Sequence, residues 1–160
     1  LKVISGSLTL DPDKTAAALS EVKVKGRMEV ISNDPYTVID AAHNAEGLLF
    51  LKKELETCAE GTTHLIFGTV KDKDYESILG IVSGFKAKKY YSQADNKRAL
   101  GTETIKKSKY VLKDRNSEFF NNPYDAYKAA AGNYRKGDLI LVTGSHFLIG
   151  DLLNSMNEKN

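Results

Sequence analysis

Three short apolar runs of this 160-residue sequence are each followed by polar, hydrogen-bonding residues. The polar segments are 40–44 (Asp-Ala-Ala-His-Asn), 71–74 (Lys-Asp-Lys-Asp) and 144–146 (Gly-Ser-His). Each precedes a helical pattern, and a helix N-terminus offers free N–H groups and a partial positive charge that favour phosphate or carboxylate. Ligands of an open α/β sheet bind beyond the carboxyl ends of its strands. The pattern therefore indicates a polar face suited to an anionic ligand.

Each candidate residue also has a structural interpretation, which the sequence leaves open. N-capping would account for the polar residues that precede helices, which are Asn44, Asp72 or Asp74, and Ser145. His43 can serve a turn between strand and helix, and Arg27 can be an exposed strand residue. His64 begins a strand after two threonines, and we expect it to be structural.

Short motifs for nucleotide or metal binding are missing from the sequence. It contains no G-x-x-x-x-G-K-[ST], G-x-G-x-x-G, C-x-x-C or H-E-x-x-H, so it has neither a phosphate-binding loop nor a paired metal motif. The three histidines, His43, His64 and His146, are far apart in the sequence. We therefore expect no metal ligands in this chain.

The composition is that of a globular protein and argues against nucleic-acid binding, membrane insertion and an internal disulfide. With 41% apolar and 28% charged residues, the chain has an ordinary globular composition. Its 23 Lys+Arg nearly balance its 21 Asp+Glu, so no large field would attract nucleic acid or a membrane surface. No apolar stretch approaches the ~18 residues that a membrane span needs. The single Cys58 excludes an internal disulfide and favours a reducing compartment, so we predict a cytoplasmic protein.

The polar segments must be positioned by the predicted helices and strands, which alternate along the chain after a β-hairpin. Asp11 and Pro12 are typical of a helix start, and the Ala-rich run that follows predicts a helix to about Val22. Apolar, β-branched runs at 27–31 and 36–40 flank turn residues, which predicts an antiparallel pair. Helices and strands then alternate, with strands at 64–67, 88–92, 118–120 and 138–143 and helical faces within 48–58, 75–85, 98–107, 123–134 and 148–156. This order predicts an α/β domain with a mostly parallel sheet.

A longer set of residues resembles a known family. The set comprises Gly26-Arg27-Met28-Glu29, Pro35, the segment 40–44, Gly68, the segment 72–74 and Gly144-Ser145. In this order and spacing it resembles the C-terminal domain of the folylpolyglutamate synthase family, part of the Mur ligase superfamily, over about 11–153. The Ala-His-Asn after Asp40 is closer to the folate branch than to the cell-wall branches. Lys25, Ala41 and Ala45 depart from the family pattern, which usually has proline, glycine and proline there.

The resemblance implies a Rossmann-like domain whose six-stranded sheet has five parallel strands and one antiparallel strand. It implies an ATP-dependent amide ligase that phosphorylates the terminal carboxylate of folate and joins glutamate to it. ATP and magnesium are the implied cofactors. The phosphate-binding loop and most magnesium ligands would lie on a separate N-terminal ATPase domain, which is the expected partner along with folate and glutamate.

The family's functional residues correspond to four positions of this sequence. Arg27 resembles the arginine that reaches the nucleotide phosphates across the cleft, and Asp40 resembles the nucleotide-side acid at the strand end. His43 resembles the histidine near the acyl phosphate and the incoming glutamate, and Ser145 resembles a residue that holds the glutamate carboxylate. The resemblance thus implies that Arg27 and His43 are catalytic, and it assigns no role to Lys73 or Asp74.

The expected organisation is a single domain over 1–160, in which 1–24 form a leading segment and helix. The chain begins at Leu1 rather than Met, so we expect it to be a piece of a longer ligase whose N-terminal ATPase domain is absent here. Two other interpretations stay open: the C-terminal domain of a cell-wall Mur ligase acting on UDP-muramyl substrates, and a non-catalytic α/β ligand-binding module.

Overall fold

A six-stranded sheet lies at the centre of the computed structural model, which describes residues 11, 13–14, 24–58 and 61–158. The strands are β1 (Glu29–Asn33), β2 (Tyr36–Asp40), β3 (Thr63–Phe67), β4 (Ala87–Ser92), β5 (Ser117–Phe120) and β6 (Leu139–Thr143). Their order is β1-β2-β6-β3-β4-β5, with β1 antiparallel to β2 and every other pair parallel. The predicted fold class is confirmed.

Helices cover both faces of this sheet. They are α1 (Ala45–Cys58), α2 (Tyr75–Ser83), α3 (Thr102–Lys107), α4 (Pro123–Asn133) and α5 (His146–Asn157). Leu48 of α1 and Leu79 of α2 belong to the core on one face, and Ala126 of α4 and Leu148 of α5 belong to the core on the other. The helices predicted within 48–58, 75–85, 123–134 and 148–156 are confirmed, although α2 ends before Phe85, which is buried just beyond it.

Strand β6 lies inside the sheet, between β2 and β3, and helices cover both of its faces. Its side chains alternate between the two cores, with Leu141 on the α1 and α2 face and Ile140 and Val142 on the α4 and α5 face. A strand covered on both faces needs apolar residues at every position, which explains its continuous apolar run.

The helix predicted over 98–107 begins instead at Thr102, so that part of the prediction is wrong. Arg98 lies in the loop after β4, and its carbonyl oxygen accepts a hydrogen bond of 2.8 Å from the amide of Lys71 in the loop after β3. The amide of Leu100 donates to the carbonyl of Thr69 at the same distance. In a helix that began at Arg98, its carbonyl oxygen would accept from the amide four residues later, so the bond from Lys71 replaces a helical one.

The described residues include the start of the predicted leading helix. The carboxylate of Asp11 accepts hydrogen bonds from the amides of Asp13 and Lys14 at 3.0 and 3.2 Å, as expected of an N-cap. Pro12 and the run 15–22, and the opening residues 1–10, fall outside the described residues. Among the helices that the structure describes, none is long and apolar enough to cross a membrane.

His64 is structural, as predicted, and lies near the amino end of β3, away from the predicted polar face. It is buried, with Nδ1 3.1 Å from the Tyr90 hydroxyl and Nε2 3.2 Å from the Asp138 carboxylate. Burial works to raise the pKa of Asp138, but hydrogen bonds from the Arg135 and Thr62 amides and from His64 outweigh it, and the pKa is lowered. The group therefore joins the amino ends of β3 and β6 to Tyr90 of β4.

Candidate functional site

The carboxyl ends of β2, β6 and β3 meet at one edge of the sheet, with Thr143 of β6 level with Asp40 of β2 and with Phe67 of β3. Backbone hydrogen bonds continue past the strands. The amide of Gly144 donates to the carbonyl of Ala42 at 3.0 Å, and the amide of Gly68 donates to the carbonyl of Thr143 at 3.4 Å. The three loops that leave this edge are therefore held together by main-chain atoms.

Glycine is required where the loops after β3 and β6 touch. Gly144 has φ +105°, a conformation that L side chains rarely adopt. A Cβ atom there would also overlap the carbonyl oxygen of Gly68 and lie 2.5 Å from the ring of Phe67. At Gly68, a Cβ atom would lie 2.5 Å from the carbonyl oxygen of Ser92. The close approach of the loops thus depends on both glycines.

A cavity of about 240 Å³ opens at this edge, among residues from the loops after β2, β3, β4 and β6. It is lined by His43, Val70, Lys73, Arg98, Gly144, Ser145, His146 and Phe147. This set contains two basic side chains and two histidines, and no carboxylate. The predicted meeting of His43 and Ser145 at one sheet edge is confirmed, since both line the same cavity although they are 102 positions apart.

His43 is fixed by two contacts. Its Nδ1 lies 2.8 Å from the carbonyl oxygen of Ala41, and its own carbonyl oxygen accepts a hydrogen bond of 2.9 Å from Lys73 Nζ. A carbonyl oxygen only accepts, so Nδ1 carries the hydrogen and a neutral ring keeps its lone pair on Nε2. The ring of His146 lies 5.4 Å away, centroid to centroid. The following residue, Asn44, caps α1 by accepting from the Gly47 amide at 2.8 Å, as predicted.

Ser145 is buried and is the N-cap of α5, where its hydroxyl accepts from the amide of Phe147 at 3.2 Å. The structural interpretation of this residue is therefore correct. Capping uses the oxygen as an acceptor and leaves the hydroxyl hydrogen free to donate to a ligand in the cavity. The N-terminus of α5, which has no acidic residue in its first turn, faces the same edge of the sheet.

The loop after β3 contains two residues to which the sequence assigned no role. Lys73 holds the carbonyl of His43, as described above, and thereby links the loops after β3 and β2. Asp74 is the N-cap of α2, accepting from the hydroxyl and the amide of Ser77 at 2.6 and 3.2 Å. These hydrogen bonds, the hydroxyl one first, lower the pKa of Asp74.

Arg98 is a site residue that the sequence reasoning missed. Its Nε and Nη2 both donate to one carboxylate oxygen of Asp72, at 2.9 and 2.6 Å, and these bonds lower the pKa of Asp72. Its guanidinium carbon lies 5.8 Å from the centroid of the Phe147 ring. Asp72 therefore anchors Arg98 rather than starting α2. The only sequence signal was an arginine shortly after a predicted strand end.

Arg27 lies in the turn before β1 and not in the strand, so its placement on an edge strand is wrong. The turn is closed by Gly26, which has φ +70° and whose amide donates to the Glu29 carboxylate at 2.6 Å. The side chain of Arg27 is half exposed, and its Nη1 lies 3.8 Å from Asp40. The Gly-Arg-Met-Glu run is thus a turn that presents an arginine at the edge of the site.

Asp40 is buried, and its carboxylate is already bonded to the backbone. One oxygen accepts from the amide of Ala42 at 2.8 Å, and the other accepts from the amide of Met28 at 3.0 Å. The carboxylate thereby fixes the turn that carries Arg27. Among the residues that the structure describes, no group of three or more His, Cys, Asp or Glu side chains could hold a metal ion.

The arrangement matches a known domain family. A family model described as the Mur ligase, glutamate ligase domain matches residues 26–146, which include every site residue named above except Phe147. The chain belongs to this family. The match runs from the Gly26 turn to the first residue of α5, so it covers the whole sheet edge on which the cavity lies.

Relatives within the Mur ligase family carry folate-related names. A dihydrofolate synthase/folylpolyglutamate synthase of Buchnera aphidicola subsp. Schizaphis graminum is 30% identical over 153 residues, 95% of this chain. The alignment covers 36% of that relative, so the chain spans about a third of the length of a curated relative that it matches.

Solved structures of the same kind share the fold. E. coli FolC in complex with DHPP and ADP superposes with a TM-score of 0.83 over 98% of this chain and 37% of its own, at 18% identity. A bifunctional folylpolyglutamate synthase/dihydrofolate synthase with Mn, AMPPNP and L-glutamate bound gives 0.80 over 94% of this chain and 36% of its own, at 20% identity. At these identities the likeness establishes the fold.

Proposed function

We propose that this Mur ligase domain works as the C-terminal domain of a folylpolyglutamate synthase, an ATP-dependent ligase that adds glutamate to the terminal carboxylate of folate. The observation that carries the proposal is the cavity in which His43, Ser145 and Lys73 converge, in a chain whose curated relative has that name. Arg27 pairs with Asp40 at the end of the strand that leads to His43. An ATPase domain in the rest of the ligase supplies the phosphate-binding loop and most magnesium ligands. We call the longer chain that carries both domains the complete ligase.

The proposed reaction proceeds through an acyl phosphate of the folate carboxylate. The ATP substrate lies across the cleft, and Arg27 is placed to stabilise charge on the transferred phosphoryl group because its guanidinium is half exposed at the edge of the site. Asp40 acts through Arg27, since it holds the turn and pairs with the guanidinium. Asp40 is therefore a positioning residue for nucleotide binding.

The glutamate substrate is proposed to occupy the cavity lined by His43 and Ser145. The cavity is lined by Lys73, by two histidines and by Arg98, which is paired with Asp72, and by no carboxylate. This lining favours a dicarboxylate over a neutral amino acid. The Ser145 hydroxyl and the N-terminus of α5 suit one carboxylate. Binding at a fixed position also orients the amino group for attack, which is the main contribution such a domain makes to the rate.

The experiment that tests the proposal measures ADP release by the complete ligase. We expect release that requires both a folate and glutamate, and none with UDP-muramyl substrates. The 160-residue chain alone is the matched control and is expected to bind without turnover, since no phosphate-binding loop lies within it. Turnover with a UDP-muramyl substrate, or amide formation by the isolated chain, would contradict the proposal.

A further inference from the structure

The rings of His43 and His146 lie next to each other at the cavity, although the two residues are far apart in the sequence. Their centroids are 5.4 Å apart, and their planes are inclined by 51°. Two imidazoles bound to one tetrahedral metal ion, with metal–nitrogen bonds of about 2 Å, have their centroids about 5 Å apart. The observed spacing is therefore that of two ligands to a single ion.

Both rings have a nitrogen free to bind a metal ion. Nδ1 of His43 donates to the Ala41 carbonyl, so a neutral ring has its lone pair on Nε2. A hydrogen bond from the second ring nitrogen to a carbonyl or carboxylate is also what orients most histidine ligands of metals. His146 is exposed, and neither of its ring nitrogens has a hydrogen-bond partner in the described part of the chain. The pair can therefore act as ligands without breaking a contact of the fold.

The rest of the lining determines which ion fits. Among the described residues, no third His, Cys, Asp or Glu side chain completes a group that could hold a metal ion. Mg²⁺ needs oxygen ligands, whereas imidazole suits Zn²⁺, Cu²⁺ and Ni²⁺. Arg98 is paired with Asp72, but the positive charge of Lys73 opposes a bound ion. The site thus favours an ion that binds imidazole strongly, such as Zn²⁺, over Mg²⁺.

We propose that His43 and His146 form a two-histidine site for Zn²⁺ and that a bound ion blocks the use of the cavity by an amino acid. The proposal departs from the sequence-based expectation of no metal ligands. A tetrahedral ion with two imidazole ligands keeps two open positions, which the amino and carboxylate groups of one amino acid can fill. An amine bound to zinc has its lone pair in the metal bond and does not attack an acyl carbon. The blocking effect rests on the proposed function, whereas the metal site does not.

The first experiment titrates the 160-residue chain with ZnCl₂ near pH 7.5, where a free imidazole is mostly neutral, and follows the ring nitrogens by NMR. We expect one Zn²⁺ per chain, with shifts at His43 Nε2 and at His146. The nitrogens of His64 should not shift, because both already have partners. His146→Gln, at an exposed position, is expected to weaken Zn²⁺ binding about 10-fold or more. Excess Mg²⁺ is not expected to displace Zn²⁺.

Cys58→Ser is the matched control, because a thiolate is also a strong zinc ligand and Cys58 is the single cysteine of the chain. We expect this variant to bind Zn²⁺ as tightly as wild type. Zn²⁺ binding that is unchanged in His146→Gln, or that is lost in Cys58→Ser, would overturn the site. A shift at one of the two histidines without the other would overturn it as well.

The second experiment measures turnover of the complete ligase at buffered concentrations of free Zn²⁺. At about ten times the dissociation constant, Zn²⁺ is expected to lower wild-type turnover about 10-fold. His146→Gln, compared with its own zinc-free rate, is expected to resist this inhibition. Equal inhibition of both proteins would overturn the blocking effect, because Zn²⁺ would then act elsewhere. If the complete ligase shows no turnover that depends on folate and glutamate without zinc, the proposed function fails, and the titration of the 160-residue chain still decides whether the site exists.

Discussion

Lys73 donates a hydrogen bond from Nζ to the backbone carbonyl oxygen of His43 across 2.9 Å. The contact joins the loop after β3 to the turn after β2, 30 residues earlier in the chain. A side chain of one loop thus holds the main chain of another at the point where the histidine enters the cavity. The geometry of His43 depends on a residue for which the sequence suggested no role.

Replacing Lys73 with Met is expected to loosen this turn and raise the KM for glutamate about 10-fold or more. The reason is the loss of a hydrogen bond from a charged group, which costs about 1.5–3 kcal/mol. The KM for glutamate is measured by steady-state kinetics of the complete ligase, with glutamate and ATP varied separately. Lys71→Met, at an exposed lysine of the same loop, is the control. If the KM for glutamate rose equally in both variants, the cause would be the loss of positive charge in the loop and not the loss of the hydrogen bond to the His43 carbonyl.

Replacing Arg27 with Ala is expected to lower turnover of the complete ligase about 100-fold, as when one charge-stabilising contact is lost. Arg27→Lys is expected to restore activity only in part, because an ammonium lacks the planar fork of the guanidinium. The unfolding midpoint of the domain should hardly move, because the side chain is half exposed. Wild-type turnover of the Ala variant would refute the role.

Ser145→Ala and His43→Ala are expected to raise the KM for glutamate more than the KM for ATP. Ser145→Ala also removes an N-cap, which costs about 1 kcal/mol of stability. Asn122→Ala removes the matched cap of α4, outside the cavity, and is expected to cost about the same stability with no change in either KM. If Asn122→Ala raised the KM for glutamate to the same extent, the Ser145 effect would be one of stability alone.

Gly144→Ala is expected to destabilise the domain much more than Gly137→Ala. Both glycines have positive φ, at +105° and +99°, so both substitutions cost about 1–3 kcal/mol of backbone strain. Only at Gly144 does the added Cβ also meet Gly68 and Phe67; at Gly137 nothing lies within 4 Å. Urea unfolding of the two variants measures the difference. Equal losses would mean that the loops can separate without cost.

Acid is expected to weaken the domain partly through Asp138. The pKa of Asp138 is lower in the folded state than in the unfolded state. The ionised carboxylate therefore stabilises the fold at a pH above its unfolded pKa. This stabilisation is lost as the pH falls through the folded-state pKa. Asp138→Asn keeps an oxygen that can accept from the Thr62 amide but cannot ionise. We expect its free energy of unfolding to depend less on pH between about 5 and 2 than that of wild type. Parallel pH dependences would contradict this.

The order of elements and the sheet edge were predictable because they depend on local patterns. Apolar periodicity identifies β6 and the helices, and the rule for parallel strands brings His43 and Ser145 together. Contacts between loops have no such pattern. The bonds of Lys73 to the His43 carbonyl and of Arg98 to Asp72 join residues 30 and 26 positions apart. Sequence spacing says nothing about which loops touch, so Arg98 was assigned to a helix and Lys73 to no role.

The loops after β2, β3 and β6 are joined by main-chain bonds at Ala42, Thr143, Gly68 and Gly144. These bonds do not involve the side chains that line the cavity. The lining side chains can therefore be replaced without breaking the main-chain bonds between the loops. Substitutions at Arg98, His146 and Phe147 are therefore a starting point for changing which ligand the cavity accepts. A small combinatorial library at these three positions would sample new acceptors on an unchanged scaffold.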